Sequence, residues 1–179
     1  MNRPLTAILA ALEFVAPKFE PAEEAAAQLR ALAVQHRVDP LTIIAIVRHE
    51  SGWVPSAVNA RTGARGLGQI MPSNYSECRR DPEGPACVRI KAELLDWKFN
   101  LAETARMMET WREYCGKKVG SRLAIHWLPG YQGLDFKRRA SCGHRKMRGR
   151  WVPLKAVPKL TRAVLERRKE LERRFGKAK

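Results

Sequence analysis

Asp39-Pro40-Leu41-Thr42-Ile43-Ile44-Ala45-Ile46-Val47-Arg48-His49-Glu50-Ser51-Gly52-Trp53 sets the architecture of the chain. Asp39 and Pro40 read as N-cap and first helical residue, because proline's fixed φ suits a first turn in which its N–H would have no helical partner. Leu41, Ile43, Ile44, Ile46 and Val47 then leave the helix almost no polar face, so it has to be central and buried. Gly52 is the natural stop. At the exit stands Glu50, followed by Trp53. A carboxyl held against apolar and aromatic neighbours is disfavoured in its charged form, so its pKa rises and it can keep the proton that a general acid needs.

The flanking sequence is also helical. Leu5, Ile8, Leu9, Leu12 and Val15 recur at helical spacing, and Glu13 interrupts the apolar run, so residues 5–16 read as an amphipathic helix and not as a secretion signal. Pro21, Glu23 and Glu24 open a second helix to about His36 that buries Leu29, Leu32 and Ala33. From Val88 to about Tyr114 the apolar residues fall three or four apart, which marks one long or two abutting helices, and Ser121 to Trp127 reads as a short one. Pro158 to Phe175 sets Leu160, Val164, Leu171 and Phe175 against Arg162, Arg167, Arg168, Lys169, Arg173 and Arg174 as a terminal amphipathic helix. No strand alternation is convincing, although the loop from Pro55 to Ile70 has room for a small hairpin. No stretch approaches a membrane span.

Of 34 Lys and Arg, 17 fall in residues 130–179 beside only four acids, so most of the net charge of +16 is carried there. That asymmetry suits a polyanion, such as nucleic acid, anionic lipid or an acidic wall polymer, without choosing among them. The tail has few aromatics for stacking bases (Tyr131, Phe136, Trp151, Phe175) and no nucleic-acid motif, which disfavours that partner. Cys78, Cys87, Cys115 and Cys142 permit two disulfides in three connectivities. The turn-rich stretch between Cys78 and Cys87 favours a local bridge. The spacings do not suit a zinc knuckle, and His49 has no second histidine four residues on, so neither metal nor cofactor is expected.

Beyond Glu50 the order His49-Glu50-Ser51-Gly52-Trp53, Asn59, and Gly66-Leu67-Gly68-Gln69-Ile70-Met71-Pro72 resembles the soluble lytic transglycosylase (SLT) family of the goose-type lysozyme-like superfamily. In that family a Glu-Ser pair ends a buried helix and a Gly-Leu-Met-Gln-Ile-Met-Pro segment lines the sugar cleft; Gly68 is the one departure. Asn100-Leu101 through Met107-Met108 resembles a third, weaker element. The fourth, Ala-Tyr-Asn, falls at Ala124-Ile125-His126-Trp127, where tyrosine and asparagine are missing, Trp127 takes the tyrosine position and His126 or Tyr131 is left to supply a polar group.

The resemblance implies a mainly α, lysozyme-like domain with at most a minimal hairpin near the cleft. Residues 1–37 would pack on a catalytic core at 38–131, and 132–179 would form a basic loop and helix of the same domain. It further implies cleavage of peptidoglycan between N-acetylmuramic acid (MurNAc) and N-acetylglucosamine (GlcNAc), with Glu50 as sole catalytic acid, an assisting acetamido group and a 1,6-anhydro product. Ser51, Asn59, Gly66, Leu67, Gln69, Met71, Trp127 and Tyr131 are the expected substrate contacts. By residue chemistry alone Ser51 equally suits a helix cap, Trp53 suits packing, and Leu67 suits core. Glu77, Asp81 and Asp96 have no context that makes them a second acid, though Asp96 is the candidate for a hydrolytic muramidase. The expected site of action is the bacterial wall or periplasm, in phage lysis or as a virion-borne enzyme, with a secretion-system transglycosylase as alternative. A non-catalytic basic glycan- or nucleic-acid-binding protein is the reading from another class. Partners beyond glycan would be an anionic envelope surface or virion proteins meeting the basic tail.

Overall fold

The computed structural model describes residues 3–132, 142–147, 149–153 and 157–176. Phe136, counted above among the tail's aromatics, lies outside them. Among the described residues the helices are α1 (Leu5–Val15), α2 (Ala22–Gln35), α3 (Pro40–Glu50), α4 (Ser76–Arg80), α5 (Pro85–Glu93), α6 (Trp97–Val119), α7 (Ala124–Tyr131) and α8 (Lys159–Phe175), with a 3₁₀ turn at Pro72–Asn74. The one sheet pairs β1 (His144–Met147) with β2 (Arg150–Pro153) antiparallel, Met147 opposite Arg150. None of these helices is long and apolar enough to cross a membrane.

Helix α3 is the axis, as its all-round apolar sequence requires. Every residue from Pro40 to Val47 is buried, and α1, α2 and α8 wrap it. Asp39 is the N-cap residue but not the N-cap acceptor. Its carboxylate instead accepts from Thr42 Oγ1 at 3.1 Å, Arg3 Nε at 3.0 Å and Arg168 Nε at 3.0 Å. Glu172 joins the same cluster through Arg3 and Arg168. One carboxylate thereby ties the segment before α1, the start of α3 and the last helix together.

The basic tail is therefore not an appendage. Thr161, Val164 and Leu171 of α8 are fully buried in the main core, whereas Lys159, Arg162, Lys169 and Arg173 face solvent on the opposite side. The amphipathic pattern places the charge outside and the apolar stripe on α3.

Several expectations are adjusted. The run from Val88 to Tyr114 is two helices, α5 and α6, because Asp96 breaks the run by capping α6, accepting from Phe99 N at 2.8 Å. The short helix expected over 121–127 is shifted to Ala124–Tyr131 and carries Pro129 within it. The Pro55–Ile70 loop holds only isolated bridges, Val58 to Arg65 and Arg65 to Ile70. The sheet lies instead in the basic region, where His144–Met147 and Arg150–Pro153 lack alternation. Gly149, with φ of 83°, makes the turn possible, and the Cys115–Cys142 disulfide pins the hairpin to α6. The second disulfide, Cys78–Cys87, ties α4 to α5 over a separation of 9 residues. Closing the 27-residue span of Cys115–Cys142 restricts the unfolded chain more than the local bridge does, by about 1 kcal/mol on loop-closure entropy.

Because Leu171 sits in the core beside α3, Leu171→Ala is expected to lower stability by about 2–4 kcal/mol in urea unfolding. Lys169→Ala, on the outer face of the same helix, should stay within about 0.5 kcal/mol of the parent.

Candidate active site

Glu50 is the last residue of α3 and is half-buried. Two left-handed residues turn the chain away immediately behind it, Gly52 with φ of 67° and Trp53 with φ of 68°. The second is unusual for a side chain as large as tryptophan, and its surroundings hold it there. Trp53 is buried, donates Nε1 to Ile44 O at 3.3 Å, and meets Phe19 edge-on at 5.1 Å. Ser51 Oγ donates to Val47 O at 3.3 Å and accepts from Trp53 N at 3.2 Å. Ser51 is thus the cap of α3 and Trp53 its wedge. Both hold the exit angle that delivers the Glu50 carboxyl, and neither lines the cavity that the carboxyl enters.

That cavity, about 460 Å³, is bordered by Glu50, the loop residues Asn59, Thr62, Ala64 and Gly68–Met71, then Asn74, Met107, Trp111, Tyr131 and Gln132. The loop is held on α6 by one fully buried side chain. Asn100 Oδ1 accepts from Gly68 N at 2.7 Å, while its Nδ2 donates to Leu94 O at 2.7 Å and Arg65 O at 3.0 Å. A Cβ on Gly66, whose φ is 70°, would lie 2.1 Å from Leu94 O. Gly66 is therefore a packing glycine beneath the loop. Gln69 also adopts positive φ, 49°, and its Nε2 donates to Ala57 O at 3.2 Å and Gly66 O at 3.0 Å. Both amide hydrogens are taken up by the loop, so Oε1 is what this side chain can still offer.

Of the expected contacts, Asn59, Gln69, Met71 and Tyr131 are brought together around Glu50, and Ser51, Gly66, Leu67 and Trp127 are not. Leu67 and Trp127 belong to the core. Trp127 takes no tyrosine-like place because the turn of α7 that faces Glu50 is its last, where Tyr131 stands. Tyr131 Oη donates to Gly68 O at 3.2 Å, and its own ionisation is pushed far up by burial and by the Glu50 charge. Gly68, the departure from the methionine pattern, is part of the same arrangement: a Cβ there would meet Thr104 Oγ1 at 2.0 Å and Tyr131 Oη at 3.1 Å. The tyrosine hydroxyl occupies space that a side chain at 68 would need.

Residues 28–111 match the Transglycosylase SLT domain family. No curated protein matches the chain significantly. The matched family is one of transglycosylases that act on peptidoglycan. The matched segment contains Glu50, the whole glycine-glutamine loop, Asn100 and Trp111. Tyr131 and Gln132 lie beyond it, so the SLT segment alone does not close the cavity on this side.

Electrostatically the site is set by burial. Desolvation raises the Glu50 pKa from 4.5 to about 7, and the neighbouring Gln132 amide opposes the rise. No lysine or arginine lines the cavity, and Glu50 is its one carboxyl among the described residues. Glu77 and Asp81 are exposed on or beside α4, and Asp96 is engaged as the α6 cap. Gln132, Trp111 and Met107 are lining residues that the sequence did not single out. Trp111 falls in the helical apolar stripe of residues 88–114, and Met107 enters only at the end of the third, weaker family element. Gln132 follows α7 and has no local pattern at all.

The raised pKa has a stability consequence. Below pH 4.5 Glu50 is protonated folded and unfolded. Between 4.5 and about 7 the unfolded chain releases a proton that the folded chain retains, so stability falls as pH rises through that window. Glu50→Gln should therefore be more stable than the parent at pH 8, by about 2–3 kcal/mol, and nearly equal to it at pH 4. Denaturant unfolding of both proteins at the two pH values checks this.

Proposed function

We propose that the chain is a peptidoglycan lytic transglycosylase that cleaves the MurNAc-GlcNAc β-1,4 bond with Glu50 as its single acid and base. The observation that carries this reading is a protonatable carboxyl, with its pKa near 7, standing as the one acid among the cavity's lining residues. Most glycosidases use two carboxylates. A site with one has to draw the remaining chemistry from the substrate. The Glu50 proton passes to the glycosidic oxygen as the bond to C1 breaks, and the substrate's acetamido oxygen stabilises C1. The Glu50 carboxylate then removes the proton of the muramic acid 6-hydroxyl, whose oxygen closes on C1. The carboxyl ends protonated as it began, the product is 1,6-anhydro-MurNAc, and no water is consumed.

Tuning supports both halves of that cycle. An acid with a pKa near the working pH surrenders its proton readily and still recovers one as a base. The polar contacts we assign to glycan are Asn59, the Gln69 Oε1 acceptor and Tyr131, with Met71, Met107 and the Trp111 ring as the apolar surface beneath a sugar. The biological setting we propose is phage lysis or virion-borne wall penetration, supported by the strongly basic chain. Its presence in purified phage particles would check that setting; its absence there would favour a secretion-system enzyme.

Digestion of purified peptidoglycan followed by mass spectrometry tests the reaction. The parent protein should release anhydro-muropeptides, and Glu50→Gln should reduce their rate at least 100-fold, on the order expected for loss of a general acid, while remaining folded. Reducing-end products would redirect the assignment to a hydrolytic muramidase, and equal turnover by both proteins would remove Glu50 from the mechanism.

A further inference from the structure

Among the described lining residues, Gln132 is the one whose side chain is hydrogen-bonded to the last helix. Its Oε1 accepts from Thr161 Oγ1 of α8 at 2.7 Å. Thr161 is itself fully buried, anchored by a helix that packs along α3. An amide is planar, with its oxygen and nitrogen on opposite branches, so fixing Oε1 on Thr161 also fixes where Nε2 points. Gln132 borders the same cavity as Glu50, and its Nε2 is buried without a partner at full hydrogen-bond geometry. Its approach to the Glu50 carboxyl nevertheless favours the charged form. The donor is close enough to act on Glu50 and is not committed elsewhere.

We propose that Gln132, locked by Thr161 of the C-terminal helix, is the positioning residue of the Glu50 carboxyl, making α8 a working part of the active site. The inference rests on the reading of Glu50 as the acid and names two residues outside the SLT segment. A neutral carboxyl asks little of a neighbouring amide, but a carboxylate accepts from it in a charge-assisted bond that is shorter and stronger. The Gln132 amide therefore tightens on Glu50 at the moment the proton leaves for the glycosidic oxygen. It holds the carboxylate in place until the 6-hydroxyl proton returns. Burial alone would push the acid further up; the amide opposes it and keeps the group where both protonation states are accessible.

The groups that face Glu50 leave this assignment uncrowded. From α7 comes Tyr131, neutral throughout the working range. From the loop come Asn59, Thr62, Gly68 and Gln69, none of which titrates. From α6 come Met107 and Trp111, and from α8 only the uncharged Thr161, acting through Gln132. No cation among them duplicates the effect of the amide.

The experiment compares the full chain with Gln132→Leu, Thr161→Val and Thr161→Ser. It reads the pH profile of anhydro-muropeptide release and, without substrate, the titration of the Glu50 carboxyl by ¹³C NMR. Loss of the donor in Gln132→Leu should move the titration and the alkaline limb of the profile upward by about 0.5–1 pH unit. Turnover should fall several-fold with little change in KM. Thr161→Val should shift in the same direction, and Thr161→Ser, which keeps the hydroxyl, should restore the parent profile. A merely structural loss would lower turnover in all three without moving the limb. Titrations that stay in place, or move down, in folded Gln132→Leu and Thr161→Val overturn the inference. If Gln132→Leu does not fold, the threonine pair decides by the same criterion. Product without a titration shift defeats this inference alone, and a shift without anhydro product defeats the reaction assigned above alone.

Discussion

A carboxyl group has been partly withdrawn from water without being given a cation among the described residues. Everything around Glu50 serves that constraint. A lysine or arginine beside Glu50 would favour its charged form and remove the proton that the proposed reaction requires. The chain carries a net charge of +16, yet among the described residues no lysine or arginine lines the cavity. The neutral lining of asparagine, threonine, glutamine, methionine and tryptophan is therefore as much a part of the chemistry as the acid. It keeps the dielectric low and supplies dipoles in place of charges.

Rigidity follows from the same requirement, because a desolvated carboxyl relaxes toward solvent unless its backbone is fixed. The fixing begins at the opposite end of α3, where Asp39 gathers Arg3 and Arg168. It ends with Ser51 and the left-handed Trp53, which turn the chain sharply once Glu50 has been delivered. Across the cavity, Asn100 does for the loop what α3 does for the acid. A single buried amide satisfies three backbone groups from two segments, so the loop keeps its shape with almost no regular structure of its own. Removing that amide would strand buried backbone polar groups in a place water cannot reach.

These devices differ in how plainly the sequence carries them. Helix α3 was legible because its apolar residues leave no polar face, and Glu50 because a charge at the end of such a helix is anomalous. Helix α8 was legible as amphipathic, but its docking on α3 was not, since periodicity identifies a buried stripe without naming what covers it. Trp127 and Tyr131 illustrate the same limit. Both stand on one short helix, four residues apart, and only the position of the facing loop determines that the second reaches the cavity while the first joins the core. Ser51 read equally as cap or contact, and the hydrogen bonds to Val47 and Trp53 make it the cap. The β1-β2 hairpin had no pattern to betray it, because a glycine turn and a disulfide hold it in place of an apolar face. Gln132 was invisible for a different reason: its significance comes from one partner 29 residues later in the chain and another far earlier.

On the proposed function, the separation of charge from chemistry lets a basic protein meet an anionic wall with a cleft whose described lining carries no cation. The cations on the outer side of α8 act through solvent, over roughly the 8 Å Debye length of physiological salt, and strengthen encounter with a polyanion. The desolvation that tunes Glu50 operates within the packed interior and is hardly screened. Helix α8 joins the two because it is amphipathic: Arg162 and Arg173 face the medium while Thr161 and Leu171 face inward. Had the same charges lain within the cavity, attraction and acid strength would have been coupled, and each gain in affinity for a polyanion would have lowered the pKa of Glu50. Placing them on the far side of a helix whose inner face supports the site lets the two vary independently.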